Sequence, residues 1–184
     1  VTSGGVSAYV VVTVSGGSED DKYTPMVAAG EGFTVVLKAN GSVWTWGNNT
    51  HGQLGNGKGG NNAQVINPQQ IALSNISSVA AGKEFAMALT DDGSVYTWGA
   101  NESGQLGIGS TDDKSTPQKV SFDLAVGEYI IRITAGDNFA MALTSGGDVY
   151  VWGNNDNGQL GVEGNIVAYP TLVEALKDDP ETTV

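Results

Sequence analysis

The sequence contains three copies of one segment, and this repetition constrains the fold more than any other feature. Each copy carries an apolar stretch ending in glycine, a turn dipeptide, a Trp-Gly pair and a Gly-Gln-Leu-Gly segment, in that order. Trp98 follows Trp46 by 52 residues, and Trp152 follows Trp98 by 54 residues. We predict that the recurring glycines and tryptophans form the structural motif of the repeat. They are Gly30, Trp46, Gly47, Gly55, Gly82, Trp98, Gly99, Gly107, Gly136, Trp152, Gly153 and Gly161.

Apolar residues alternate in size along the segment that precedes each turn. In segment 85–89, bulky Phe, Met and Leu side chains alternate with two alanines, and segment 139–143 repeats this pattern. A period of two indicates a β-strand. Because both faces of such a strand are apolar, one bulky and one small, we expect another layer to cover each face.

Glycine-containing dipeptides follow these segments and predict hairpins with two-residue loops. The dipeptides are Asn40-Gly41, Asp92-Gly93 and Gly146-Gly147. We expect the prolines between copies, Pro68, Pro117 and Pro170, at the start or the edge of an outer strand, where a missing N–H group does no harm. A unit of about 50 residues with several short strands predicts an all-β propeller blade, because strand-only solenoid repeats are shorter, about 20–30 residues.

The second copy, from Val79 to Gly107, resembles the repeat of the regulator of chromosome condensation family. The resemblance covers about residues 24–173 and implies blades of a seven-bladed β-propeller that serves as an interaction platform. The founding members of the family promote nucleotide exchange on a small nuclear GTPase and bind chromatin. This chain carries Phe33, Phe85 and Phe139 where the family commonly has His, and it shows neither the wedge-like insertion nor the basic tail on which exchange depends. The resemblance therefore does not carry exchange activity with it.

Three blades of such a propeller do not close a ring. Each end of the array is expected to expose a blade face and a strand edge, more apolar surface than a soluble monomer usually tolerates. Either the chain is part of a longer polypeptide or several chains join their partial propellers, and we favour association between chains. The sequence thus predicts a non-enzymatic repeat protein that mediates protein–protein association, as an extracellular structural or self-assembling subunit. The alternatives are an interaction module of a larger cell-surface propeller and, by family analogy, a guanine-nucleotide exchange factor.

The composition argues against several classes of partner. The formal net charge is −12, with 20 acidic and eight basic residues, so phosphate backbones and anionic lipid surfaces are repelled. No apolar run reaches the ~20 residues that a membrane-spanning helix needs. Cysteine is absent, which excludes disulfides and thiolate chemistry. We therefore expect protein partners, no nucleic acid and no membrane insertion, and an extracellular or cell-surface location.

No group of residues predicts catalysis or a cofactor. His51 is the single histidine, and its position is Ser103 in the second copy and Asn157 in the third, which favours a loop surface over a catalytic centre. The acidic pairs 91–92 and 112–113 fall in a turn and a polar loop. The sequence predicts no enzyme activity, no metal site and no cofactor.

Calcium is the one ion that the acidic composition leaves as an alternative. Segment 154–158 is rich in oxygen ligands but lacks the spaced carboxylates of a helix-flanked calcium loop. The ligands would be Asp156 and, in the second copy, Glu102. We interpret only the glycine of this loop as constant among the copies, so turn formation is the simpler explanation.

The chain divides into an N-terminal strand and acidic linker at 1–22, three propeller-type repeats at 23–174 and an acidic tail at 175–184. Segment 7–14 belongs to no repeat and is rich in branched and aromatic residues, which favours a β-strand. It closes a preceding immunoglobulin-like domain, completes a sheet edge in its own or a neighbouring chain, or forms a disordered arm. The residues of this candidate assembly strand are Tyr9, Val10, Val11, Val12 and Val14.

Overall fold

A computed structural model describes residues 22–60 and 63–177 as three four-stranded antiparallel sheets. The strands of the first sheet are β1 (Met26–Ala29), β2 (Phe33–Leu37), β3 (Val43–Gly47) and β4 (Val65–Gln70). Those of the second are β5 (Ile76–Ala81), β6 (Phe85–Thr90), β7 (Val95–Gly99) and β8 (Lys114–Lys119). Those of the third are β9 (Ile130–Ala135), β10 (Phe139–Thr144), β11 (Val149–Asn154) and β12 (Ile166–Leu172). The predicted fold class, propeller blades built from the three repeats, is confirmed.

Each sheet is one blade in which the strands pair in chain order. Strand β5 contacts β1 and β2 of the first blade, and β9 contacts β5 and β6 of the second. Successive blades therefore pack with their first strands together. In the described part of the chain, the only helix is the 3-10 turn Glu174–Leu176, so no described helix is long enough to span a membrane.

Two apolar clusters fill the junctions between blades, and each joins a bulky face to a small one. The first cluster includes Phe33, Val35 and Leu37 of the first blade and Ala86, Ala88 and Trp98 of the second. The second includes Phe85, Met87 and Leu89 of the second blade and Ala140, Ala142 and Trp152 of the third. The alanines let the backbone of one blade approach the bulky side chains of the other. Full burial of one such bulky side chain is worth about 1.5–3 kcal/mol, so each junction stabilises the fold.

The hairpins between the second and third strands have three-residue loops, and the two-residue prediction is wrong. In the second blade the Thr90 N–H donates to the Ser94 carbonyl, and the Gly93 N–H donates back to the Thr90 carbonyl. Gly93 has φ +82°, so it takes the left-handed position that follows a tight turn in loops of this length. The dipeptides do mark the turns. The loop is a bulged one because only the final glycine of each dipeptide has a positive φ, and the residue before it does not.

The prolines lie within the fourth strand of each blade and not at its start. Pro68 is inside β4, Pro117 inside β8 and Pro170 inside β12. The fourth strand is the edge of its sheet, where a residue without an N–H group leaves no ladder bond broken. The predicted strand at 7–14 and most of the acidic tail lie outside the described residues, and the domain limits stay predictions.

Candidate functional site: the blade junctions and the two open blade faces

A tryptophan locks each internal junction. The indole of Trp98 donates to the backbone carbonyl of Gln53 at 2.9 Å, and Trp152 donates to Gln105 at 2.9 Å. Both tryptophans are 0% exposed. Room for the ring comes from the final glycine of the Gly-Gln-Leu-Gly segment, because a Cβ atom at Gly55 would lie 2.9 Å from the Trp98 Nε1. The structure thus brings together predicted motif residues from neighbouring copies.

The glycines of the first strands form a second line of contact. A Cβ atom at Gly30 would lie 2.5 Å from the carbonyl oxygen of Gly82, and one at Gly82 would lie 2.6 Å from that of Gly136. This close approach allows backbone hydrogen bonds between blades. The Glu31 N–H donates to the Lys83 carbonyl at 2.7 Å, and the Lys83 N–H donates to the Asp137 carbonyl at 2.8 Å.

The glycines at or next to the end of the third strands serve the blade itself. Gly47, Gly99 and Gly153 have φ between +106° and +109°. A side chain at Gly99 would meet the Glu84 carbonyl oxygen at 2.5 Å, and one at Gly153 would meet that of Asn138 at 2.5 Å. These positions need glycine for both their backbone angle and the lack of space.

A buried asparagine holds the loop that carries the Gly-Gln-Leu-Gly segment. The Oδ1 atom of Asn101 accepts the Leu106 N–H at 3.0 Å, and its Nδ2 group donates to the carbonyls of Ser110 and Asp112. Asn49 and Asn155 make the equivalent bonds to the leucine N–H group and to a carbonyl further along the loop. All three are buried.

The interpretation that only the glycine of this loop is constant is therefore wrong. The asparagine stands two residues after the glycine of every Trp-Gly pair. Numbering the loop from that pair would have revealed it, whereas the neighbouring asparagines in the first and third copies obscure the match. Its side-chain amide satisfies backbone groups that the loop would otherwise bury without partners.

The third blade has a bulky face that the described residues cover only in part, through the small cluster of Val151, Leu160 and Val173. Phe139, Met141 and Leu143 are half-buried, although the same residue types in the second blade, at 85, 87 and 89, are buried. Apart from Gly158 and its two chain neighbours, no atom lies within 4 Å of a Cβ atom built at Gly158. For a Cβ atom built at Gly161, the nearest such atom is Val173 Cγ1 at 3.8 Å. We call this surface the tail face: Phe139, Met141, Leu143, Gly158 and Gly161.

The first blade has the opposite open surface. Trp46 is half-buried, in contrast to the fully buried Trp98 and Trp152. It lines a groove of about 560 Å³ together with Val65 and Ile66, and Ile66 is 87% exposed. We call this surface the head face: Thr34, Trp46 and Ile66, beside Val36, which is already buried.

His51 lies in a loop, as predicted, but it also bridges two blades. Its Nδ1 atom is 2.7 Å from Asp113 Oδ2, and its Nε2 atom is 3.7 Å from Glu84 Oε1, both in the second blade. The hydrogen bond to Asp113 and the attraction to Glu84 outweigh partial burial and raise the pKa of His51 above its ordinary value. Sequence comparison between copies could not identify this role, because the partners come from another blade.

We expect the contribution of His51 to stability to depend on pH. Because the folded state raises the pKa of His51, its contribution is complete below the unfolded-state value of about 6.5 and is lost as pH rises through the folded-state value. The free energy of unfolding of the wild type minus that of His51→Gln should fall as the pH rises above about 6.5, by about 1 kcal/mol or less. Urea titrations at several pH values measure it. A difference that stays constant would contradict the assignment.

The acidic side chains considered for calcium do not converge. The Asp156 carboxylate accepts a hydrogen bond from Asn154 within its own loop, and both Asp156 and Glu102 are exposed. Within residues 22–60 and 63–177, no group of three or more His, Asp or Glu side chains is placed to hold a metal ion.

Asp91 accepts hydrogen bonds from Lys22 and Tyr23, and the bond from Lys22 lowers the pKa of its carboxyl.

Comparison with known proteins gives repeat-containing relatives with diverse roles. The ultraviolet-B receptor UVR8 of Arabidopsis thaliana is 34% identical over 171 residues, which is 91% of this chain and 37% of that protein. The human E3 ubiquitin-protein ligase HERC2 is 35% identical over 151 residues, 81% of this chain and 3% of that protein. The mouse X-linked retinitis pigmentosa GTPase regulator is 34% identical over 140 residues, 74% of this chain and 14% of that protein.

Solved structures agree with these relatives. Human WBSCR16 superposes with a TM-score of 0.72 at 28% identity, over 80% of this chain and 39% of that one. Prp20p of Saccharomyces cerevisiae, described with its binding properties to Gsp1p and histones, superposes with a TM-score of 0.72 at 25% identity, over 83% of this chain and 39% of that one. The chain spans less than half the length of these relatives. The profile of the regulator of chromosome condensation (RCC1) repeat matches residues 40–89, 92–143 and 146–184. The chain therefore belongs to the regulator of chromosome condensation repeat family.

Proposed function

We propose that this chain is a non-enzymatic, self-assembling subunit that associates with other protein through its head face and its tail face. The observation that carries the proposal is the half-buried state of Phe139, Met141 and Leu143, whose counterparts in the second blade are buried by the next blade. This face is buried wherever a neighbouring blade is present, so its burial against the blade of another chain would be favourable.

The size of the expected gain supports association over isolation. Each large apolar side chain that passes from water into a junction contributes about 1.5–3 kcal/mol when the burial is complete. Soluble monomers rarely expose contiguous apolar patches larger than a few hundred Å². An extracellular or cell-surface location is supported by composition alone, through the net charge of −12 and the lack of cysteine. Digestion by protease added to intact producing cells tests that location.

Light scattering after size exclusion tests the association. We expect the average mass to exceed the 18.9 kDa of one chain and to rise between about 1 µM and about 200 µM, a range suited to weak interfaces. Met141→Glu places a charge in the tail face and should return the mass to that of one chain. The control is Val126→Glu, at a residue in the loop between β8 and β9 that is 107% exposed, and it should behave as the wild type.

The results separate this proposal from its main alternative. A mass of one chain for wild type and control at every concentration would contradict self-assembly. It would favour a segment of a longer propeller, in which both faces bind blades of the same polypeptide. The alternative is supported by the coverage of the relatives, since the chain spans 37% of the ultraviolet-B receptor and 39% of Prp20p.

A further inference from the structure

We infer that the tail face of one chain binds the head face of a second copy, in the order in which blades follow one another inside the chain. This inference rests on the proposed self-assembly and names its partner surface. It predicts a heterologous contact, in which the two participating surfaces differ and growth continues until a ring closes.

The tryptophan lock supports this pairing, because each open face carries one half of it. The tail face presents the Gln159 carbonyl and Gly161, the counterparts of Gln105 and Gly107. The head face presents Trp46, the counterpart of Trp152. No described residue donates a hydrogen bond to the Gln159 carbonyl or accepts one from the Trp46 indole.

The backbone contacts between blades leave complementary groups at the two ends. Inside the chain, the Lys83 N–H donates to the Asp137 carbonyl of the next blade. By the same pattern, the Asp137 N–H of the tail end would donate to the Glu31 carbonyl of a second copy. At the outer edge of the junction, the Gly109 N–H of a loop donates to the Ala168 carbonyl of β12 at 2.9 Å. The corresponding donor at the tail end is the Glu163 N–H group.

Contact between two tail faces satisfies none of these groups. It would bring two bulky surfaces together, although both internal junctions join a bulky surface to a smaller one. It would also bury two Gln159 carbonyls without a donor, and an unsatisfied buried acceptor is costly. The chemistry of the tail face therefore selects the head face over a second tail face.

Two differences make the contact between copies weaker than an internal junction. The first blade has Thr34 and Val36 where the second blade has Ala86 and Ala88, so blades of two copies would sit further apart. Glu31, which lies 3.3 Å from Lys83 inside its own chain, would approach the acidic Asp137 of the other copy. Added salt should therefore strengthen association, because it screens this repulsion and the net charge of −12.

Two blocked variants test the pairing by complementation. Gly161→Asn fills the space on the tail face that a tryptophan would occupy and leaves the head face intact. Ile66→Asp charges the head face at an exposed position and leaves the tail face intact. We expect each variant alone to stay monomeric, and the equimolar mixture to form a one-to-one dimer that does not grow.

The outcomes of the mixing experiment are distinct. Suppose that the wild type associates, that Ile66→Asp still associates with itself, and that Gly161→Asn binds neither itself nor Ile66→Asp. Two tail faces are then in contact, and the inference is wrong. If both variants associate as the wild type does, neither face is used and the proposed function fails. If the wild type is monomeric, self-assembly itself is absent.

The lock is tested within the complementing pair. Trp46→Phe is added to the Gly161→Asn chain, which supplies the head face in the mixture. Phe keeps a six-membered aromatic ring but lacks the pyrrole ring and its N–H group, so we expect the dissociation constant to rise about tenfold or more, through the lost hydrogen bond and the lost packing together. An unchanged dissociation constant would overturn the assignment of Trp46 as the donor to Gln159.

Discussion

Gly107→Asn is expected to lower the free energy of unfolding by about 3 kcal/mol, whereas Gly161→Asn should lower it by less than about 1 kcal/mol. Both glycines have φ +67°, which asparagine tolerates better than most residues, so the backbone cost is the same at the two sites. They differ in what the new side chain would meet. At Gly107 the Cβ atom would lie 2.8 Å from Trp152 Cδ1 and Nε1, but at Gly161 the nearest atom is Val173 Cγ1 at 3.8 Å.

Displacement of Trp152 would also break its hydrogen bond to the Gln105 carbonyl, so packing and hydrogen-bond losses add. Urea unfolding followed by circular dichroism measures both variants. The Ile66→Asp background keeps self-association out of the comparison. Equal losses at the two positions would show that the cost comes from the backbone angle, and the description of the junction as a tight tryptophan lock would be wrong.

Asn101→Ala is expected to lower the free energy of unfolding by about 3 kcal/mol, since a buried amide with several partners is lost. The variant removes the acceptor for the Leu106 N–H and the donors to the carbonyls of Ser110 and Asp112. The Leu106 N–H group loses its partner at a residue that is 0% exposed, where water replaces the lost acceptor poorly.

The matched control is Asn157→Ala in the corresponding loop of the third blade. Asn157 is exposed and only its backbone N–H is hydrogen-bonded, to Gln159, so the change should stay within about 0.5 kcal/mol. Asn101→Asp keeps the acceptor and loses the donors, and we expect an intermediate stability. If Asn101→Ala matched the control, the buried asparagine would not hold the loop.

The sequence alone was sufficient to predict the blades, because the information for them is local. Alternation within segments such as 85–89 specifies a strand that must be covered on both faces, and the turn glycines specify where it reverses. The repetition then identified Trp98 and Gly107 as motif residues without any knowledge of their contacts. Loop length was not determined in the same way, since the dipeptide at 92–93 suits both two-residue and three-residue loops.

Only the tertiary structure decided which repeats contact each other and through which faces. Trp98 contacts Gln53, 45 residues away in the preceding blade, and His51 contacts Asp113, 62 residues away in the following one. A periodic sequence presents the same donor and acceptor in every copy, so it does not say whether a tryptophan binds its own copy or the next. Packing decides this, because the bulky face of one blade fits only the small face of its neighbour, and that same rule leaves two unlike surfaces open at the ends.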